Sequence, residues 1–212
     1  MAADSTLWDG LHRLQRHQLR YPSEDVVRFL ANAKAGGART MVDIGCGAGR
    51  HMKLAHELGL DPTGIDSSNA AAAHAATYGD AATADATSIP FPDNRFDCAI
   101  AIGSLYYGTY SDVVRAVRET HRILRPGGLA LFTLRTDRDW RHGRGQPEGY
   151  ASWLVDLPDS EPEAGMTMTF LRGIDLAHVF SCFVPTVWYE LAERTTDNRL
   201  RRESEWVVTA QK

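Results

Sequence analysis

Thr40-Met-Val-Asp-Ile-Gly-Cys-Gly-Ala-Gly-Arg-His51 decides how the rest of the chain is read. A short apolar run is broken by Asp43, glycines follow at alternate positions, and helical periodicity begins after His51. That succession predicts a strand, a tight turn and a helix N-terminus, the arrangement by which α/β proteins hold nucleotide-like cofactors. Two members of that class are excluded by residue type. A dinucleotide turn needs a third small residue so that helix packs on strand, and Arg50 occupies that place. A phosphate-cradling P-loop needs Gly-Lys-Ser/Thr after its turn, and none follows.

Working outward, two helices are expected before this strand. Leu7, Leu11 and Leu14 fall at helical spacing, Tyr21-Pro22 breaks the pattern, and Ser23 caps a second helix carrying Val26, Val27, Phe29 and Leu30. Downstream, strands are expected at 40–45, 62–65, 81–85, 96–102 and 129–134, and helices at 51–58, 69–78 and 112–124. Ser67 or Ser68 caps the alanine-rich second of these helices, and Pro126-Gly127-Gly128 makes a tight turn before the fifth strand. A helix at 175–180 and an antiparallel hairpin at 184–194 and 203–210 complete the chain. The expected fold class is α/β: a Rossmann-like, mostly parallel seven-stranded sheet with helices on both faces and a C-terminal antiparallel hairpin.

With 212 residues, 43% of them hydrophobic, the chain suits one such domain. Its expected parts are an N-terminal helical cover (1–37), a cofactor-binding core (38–134), a substrate lid or insertion (135–172) and the C-terminal helix with its hairpin (173–212). The lid reading rests on Trp140, Tyr150 and Trp153, because aromatics are scarce in disordered segments. A net charge of −4 argues against bulk nucleic acid as partner. Cys46, Cys98 and Cys182 lack CxxC spacing and read as reduced thiols; Cys46 is a small side chain in the turn, or a reactive one. His12/His17 and His51/His56 are five apart, on different helix faces, so no metal site is expected. The N-terminus has no apolar leader and no stretch is long enough to span a bilayer, so a cytoplasmic protein without membrane contact is expected.

Four segments in order then carry a resemblance. Val42-Asp43-Ile44-Gly45-Cys46-Gly47-Ala48-Gly49 resembles the first motif of class I S-adenosylmethionine-dependent methyltransferases. Gly64-Ile65-Asp66 is similar to that family's second strand with its ribose-binding acid. Ala84-Asp85-Ala86, with Ile89-Pro90-Phe91-Pro92-Asp93 and Phe96-Asp97, resembles the adenine segment and fourth strand, and Arg122–Gly128 the turn before strand five. The resemblance covers about residues 38–134 and implies S-adenosylmethionine as cofactor, held by Asp43, Gly45, Cys46, Gly47, Asp66, Ser67, Asp85, Ala86 and Gly103. Gly45 and Gly47 let the backbone approach where a Cβ would collide. Asp66 accepts from two ribose hydroxyls, or else caps a helix. Asp85 accepts from the adenine amino group and the Ala86 amide donates to the ring, the alternative for Asp85 being a solvated loop acid. Asp43 fixes the glycine loop and, by the resemblance, lies near the methionine amino group. Tyr21, in the turn between the N-terminal helices, contacts the cofactor or simply packs. Arg50 is solvated or meets the methionine carboxylate or substrate.

A sulfonium methyl is strongly electrophilic, so placement of a nucleophile and exclusion of water supply much of the rate. A base is needed chiefly for a hydroxyl or protonated amine. Tyr106 and Tyr107, after the fourth strand, and His142, in the expected lid, are the candidate catalytic residues; core packing and a surface histidine are the alternatives. The Asn/Asp-Pro-Pro-Tyr run of amino-directed DNA methyltransferases is missing. The expected activity is methyl transfer to nitrogen or oxygen of a small molecule, by a monomer or homodimer. A cofactor-binding regulatory or scaffold protein, and a protein methyltransferase, are the alternatives.

Overall fold

The structure, a computed structural model, describes residues 8–10, 19–158, 161–183, 187–196 and 201–212. The expected first helix lies mostly outside them; residues 8–10 are helical. Helix α1 (Glu24–Ala35) starts where Ser23 accepts the amide of Val26 and presents two acids in its first turn. Strand β1 (Thr40–Ile44) leads through the glycine turn into α2 (Arg50–Glu57), then β2 (Asp61–Asp66), α3 (Asn69–Ala75), β3 (Asp80–Thr83) and β4 (Phe96–Ala101). Helix α4 (Tyr110–Ile123), strand β5 (Leu124–Arg135), the short strands β6 (Gly145–Pro147), β7 (Ser152–Val155) and β8 (Thr167–Thr169), helix α5 (Gly173–Val179), and strands β9 (Val187–Thr196) and β10 (Arg201–Gln211) follow.

Seven strands form one sheet in the order β3-β2-β1-β4-β5-β10-β9. The first five are parallel, and β10 runs antiparallel to both β5 and β9. The strand period of two divides the core. Met41, Cys98, Ile100, Leu131 and Val207 pack with α1 and Ala55 of α2. Their neighbours Val42, Ala99, Ala101, Phe132 and Val208 pack with α4 and α5. Both faces are thus covered, which is why β1 and β4 read as continuous apolar runs. Among the described residues no helix is long and apolar enough to cross a membrane.

Several expected boundaries move, each for a local reason. Helix α4 begins at Tyr110, two residues early, because Thr109 and Asp112 form a reciprocal capping box. The alanine helix stops at Ala75, and the third strand ends at Thr83, which leaves Asp85 in the loop beyond it. Pro126-Gly127-Gly128 does not precede the fifth strand but interrupts it. Pairing passes from Phe96↔Leu124 to Cys98↔Leu129, so the residues between loop out of the ladder, with Gly127 at φ +80°. Residues 145–169 hold a second sheet, β6-β7-β8, that the sequence did not announce. Its buried Val155, Met166, Met168 and Phe170 pack on Tyr106.

Candidate active site

The C-terminal ends of β1, β2, β4 and β5 open on one cavity of about 610 Å³. Gly45, Gly47 and Gly49 have φ of +77°, +52° and +83°. Any side chain at Gly45 would run into Ser104, whose Oγ donates to the Ile44 carbonyl across 2.7 Å. The amides of Gly45 and Cys46 donate to the Ile65 carbonyl at 2.8 and 3.0 Å, which ties the turn to β2. Asp66 completes the tie, accepting from the Gly47 amide through one oxygen and the Ser68 amide through the other, each at 2.9 Å. Ser68, not Ser67, caps α3; Ser67 lines the cavity.

Cys46, Ala86 and Gly103 also line it, as does Asp85, whose Oδ1 accepts from the Thr87 amide and hydroxyl at 2.8 Å. The Gly103 amide donates to Thr133 Oγ1 at 2.8 Å, which fixes the end of β4 against β5. Asp43 is not in the wall. It is buried behind the turn, and burial pushes its carboxyl up to about 7 against the pull of Arg50. His51 Nδ1 is 3.8 Å from Asp43 Oδ2, and that oxygen has no hydrogen-bond donor. Burial, helped by Arg50, holds His51 down at about 3. Its Nε2 accepts from the Ser23 amide at 3.4 Å, so α1 docks on the start of α2 through a neutral imidazole. Burial also pushes the Cys46 thiol far up, so the small-side-chain reading of Cys46 holds and thiolate chemistry does not.

Tyr21 lies elsewhere. Its side chain is 83% exposed and outside the cavity wall, and what it offers the site is its backbone carbonyl, which accepts from Arg50 Nη1 at 2.9 Å. Arg50 itself lines the cavity.

The other half of the cavity is aromatic and charged. Tyr106 and Tyr107 line it with ring centroids 4.6 Å apart, and Trp8 stands edge-on to Tyr107 at 4.7 Å. Burial pushes both phenols up, Tyr107 well above its ordinary value, so they are hydrogen-bond donors and not phenolates near neutrality. His142 belongs to a separate, smaller cavity with Tyr150 and Arg172, its ring against Trp153 and Phe170. The structure therefore corrects the placement of His142 as a base beside the reacting atoms.

Four charged residues of this half carry no motif: Arg135, Arg141, Glu163 and Glu203. Arg135 ends β5 two positions after Thr133, on the same side of the strand. Asp139, fully buried, accepts from Arg135 at 3.2 Å and from Arg141 at 3.0 Å. Arg141 also reaches Glu163 at 3.1 Å and Glu203 at 3.3 Å, and Arg135 reaches Glu205 at 3.3 Å. The Arg135 guanidinium stands 5.1 Å from the Tyr106 ring centroid. An arginine directly after the apolar run of β5 was the one local signal available; the rest is long-range. Among the described residues no group of three or more His, Cys, Asp or Glu side chains is placed to hold a metal ion.

Parallel sheet with an antiparallel end, glycine turn and two strand-end carboxylates together define a class. That set of features resembles the class I S-adenosylmethionine-dependent methyltransferases. A family model described as "Methyltransferase domain" matches residues 42–132. The chain is 29% identical over 157 residues to the tRNA (carboxymethyluridine(34)-5-O)-methyltransferase of Schizosaccharomyces pombe, covering 68% of this chain and 66% of that one. It is 32% identical over 123 residues to the malonyl-[acyl-carrier protein] O-methyltransferase of Pseudescherichia vulneris, covering 55% and 46%. A crystal structure of a SAM-dependent methyltransferase from Methanosarcina mazei superposes with a TM-score of 0.67 at 22% identity, over 82% of this chain and 92% of that one, and shows the shared fold. The chain spans between 24% and 66% of the length of the first curated relatives it matches.

The cofactor of this family is S-adenosylmethionine, and the residues present fit it. The turn lines the cavity with Gly45 and Gly47, where no side chain stands between the backbone and that space. Behind it the buried Asp43 Oδ2 has no donor of its own. Asp66, Asp85 and Ala86 line the same cavity.

Proposed function

We propose that this protein transfers a methyl group from S-adenosylmethionine to a nitrogen or oxygen of a small molecule. The observation that carries the reading is one continuous cavity whose wall runs from Gly45, Asp66 and Asp85 to Tyr106, Tyr107 and Arg135. Donor and acceptor would share one space, sheltered by residues 135–172.

S-adenosylmethionine supplies an electrophilic methyl on a sulfonium. The chain's own residues bind, orient and exclude water. Asp66 and Asp85 would accept from the ribose and the adenine, while Gly45 and Gly47 let the backbone come close. Arg50, held by the Tyr21 carbonyl, faces the methionine end. Tyr106 and Tyr107 offer neutral hydroxyls to the acceptor, and with Trp8 they form a dry wall. In-line placement then accounts for the rate.

A second reading is favoured by the names of the relatives. One acts on a carboxymethyluridine in tRNA and another on malonyl-[acyl-carrier protein], so a carrier-borne acceptor is the alternative to a free small molecule. Both named groups bear a carboxyl, and both names specify oxygen.

Calorimetric titration with S-adenosylmethionine and NAD tests the cofactor, and binding of NAD alone would sink the reading. Incubation with amines, phenols, carboxylic acids and carrier-linked acids, read by a mass gain of one CH₂, then tests transfer. Product on carrier-linked acids with none on free acceptors would favour the second reading.

A further inference from the structure

Arg135 is an arginine with one side in use. It is 6% exposed and lines the acceptor half of the cavity. Its hydrogen bond to Asp139 and its ion pairs with Asp139 and Glu205 all run through Nη1. Its Nε is buried and makes no hydrogen bond. A guanidinium offers two parallel N–H groups along the Nε–Nη2 edge, and that fork matches the two oxygens of a carboxylate. An unmade bond on a buried charged donor is costly, so such a donor calls for a partner.

The neighbouring groups limit what that partner is. Asp139, Glu163, Glu203 and Glu205 face the two guanidiniums of Arg135 and Arg141, and each already meets one or both. An ammonium has no acceptor and would leave the Arg135 Nε without a partner. A doubly charged phosphate would add two negative charges beside four. A carboxylate adds one and completes the open edge. Tyr106, 5.1 Å from the Arg135 guanidinium, carries an aromatic surface from that edge back to Gly103, because a Cβ there would lie 3.7 Å from the Tyr106 hydroxyl.

We propose that the methyl acceptor bears a carboxylate and that Arg135 binds it through Nε and Nη2. This rests on the methyltransferase reading above and names its substrate class. Asp139 and Glu205 hold Arg135 by its other end and are positioning residues.

The test uses the full chain saturated with S-adenosylhomocysteine, titrated with phenylacetate, phenylacetamide, phenethylamine and phenyl phosphate. Phenylacetate should bind roughly tenfold or more tighter than each of the others. Arg135→Lys, which keeps the charge and loses the fork, should remove roughly that factor for phenylacetate and leave the amide unchanged. Arg138→Gln, whose residue lies outside the cavity wall, should change neither. Equal binding of acid and amide, or tightest binding of the amine or the phosphate, overturns the proposal while the cofactor site stands. Failure of S-adenosylhomocysteine itself to bind takes down the function with it. The wild-type comparison decides the matter even if Arg135→Lys does not fold.

Discussion

The glycine-turn half and the charged half of the one cavity are built by opposite means. The first half is made of backbone. Three glycines at positive φ turn the chain beside the cavity, and their amides are held by the Ile65 and Cys46 carbonyls and the Asp66 carboxylate. The second half is made of side chains. Tyr106, Tyr107, Arg135, Arg141 and Glu163 meet there with Glu203 from β10, and their geometry depends on ion pairs that reach as far along the sequence as Arg135 to Glu205. Backbone sites are set by local conformation, whereas charge networks are set by the whole fold. The two halves should therefore fail separately.

The largest effect is expected at the hub of the charge network. Asp139→Ala leaves two buried guanidiniums short of a partner and should cost roughly 3–5 kcal/mol in urea melts, while any protein that remains folded keeps its S-adenosylmethionine affinity. Gly45→Ala does the reverse. It forces a Cβ against Ser104 in a left-handed conformation, at about 3 kcal/mol, and should weaken cofactor binding roughly 100-fold by calorimetry. If Asp139→Ala abolishes cofactor binding in folded protein, the halves are not separate.

Asp66→Asn should lower cofactor affinity roughly tenfold to 100-fold, because a charged acceptor braces the Gly47 and Ser68 amides as well as facing the cavity. A pH series sharpens the picture behind the turn. Asp43, raised from 3.8 to about 7, binds its proton more tightly folded than unfolded, so its contribution falls as pH rises between those values. His51, lowered from 6.5 to about 3, contributes stability that is full above 6.5 and lost as pH falls toward 3. The two oppose each other between about pH 4 and 6.5. Asp43→Asn should expose the His51 slope, at most about 1.4 kcal/mol per pH step of one, where the wild type is nearly flat. The smallest effect is expected at Tyr21→Ala, within about 0.5 kcal/mol and with cofactor affinity unchanged, since its exposed ring touches no part of the cavity wall.

The same contrast explains what could be read from the sequence. Parallel strands, the glycine turn and the acids after β2 and β3 were legible because each rests on neighbours a few positions away. The start of α4 was legible too, in Thr109 and Asp112 at capping-box spacing, but apolar periodicity pointed two residues later. The interruption of β5 was not, because a Pro-Gly-Gly run looks the same before a strand as within one. The acceptor half left almost no trace. Glu163 and Glu203 are forty residues apart with no shared pattern, and they become partners only when Arg141 lies between them. His142 was a candidate because it falls in the expected lid, yet its ring is packed against Trp153 and Phe170.

The hydrogen bond from the Ser204 amide to Asp139, with Glu203 and Glu205 on either side of it, has a consequence for anyone building chimaeras. Exchange of residues 135–172 between relatives looks like the natural way to transplant substrate preference. Here that segment is anchored by Glu203, Ser204 and Glu205 near the start of β10, far beyond its end in sequence. A graft that stops at residue 172 would carry Arg141 into a host without Glu203, Arg135 without Glu205, and Asp139 without the Ser204 amide. The transferable module is the segment together with residues 201–206, and a swap that leaves them behind should yield a protein that holds its cofactor and has lost its grip on everything else.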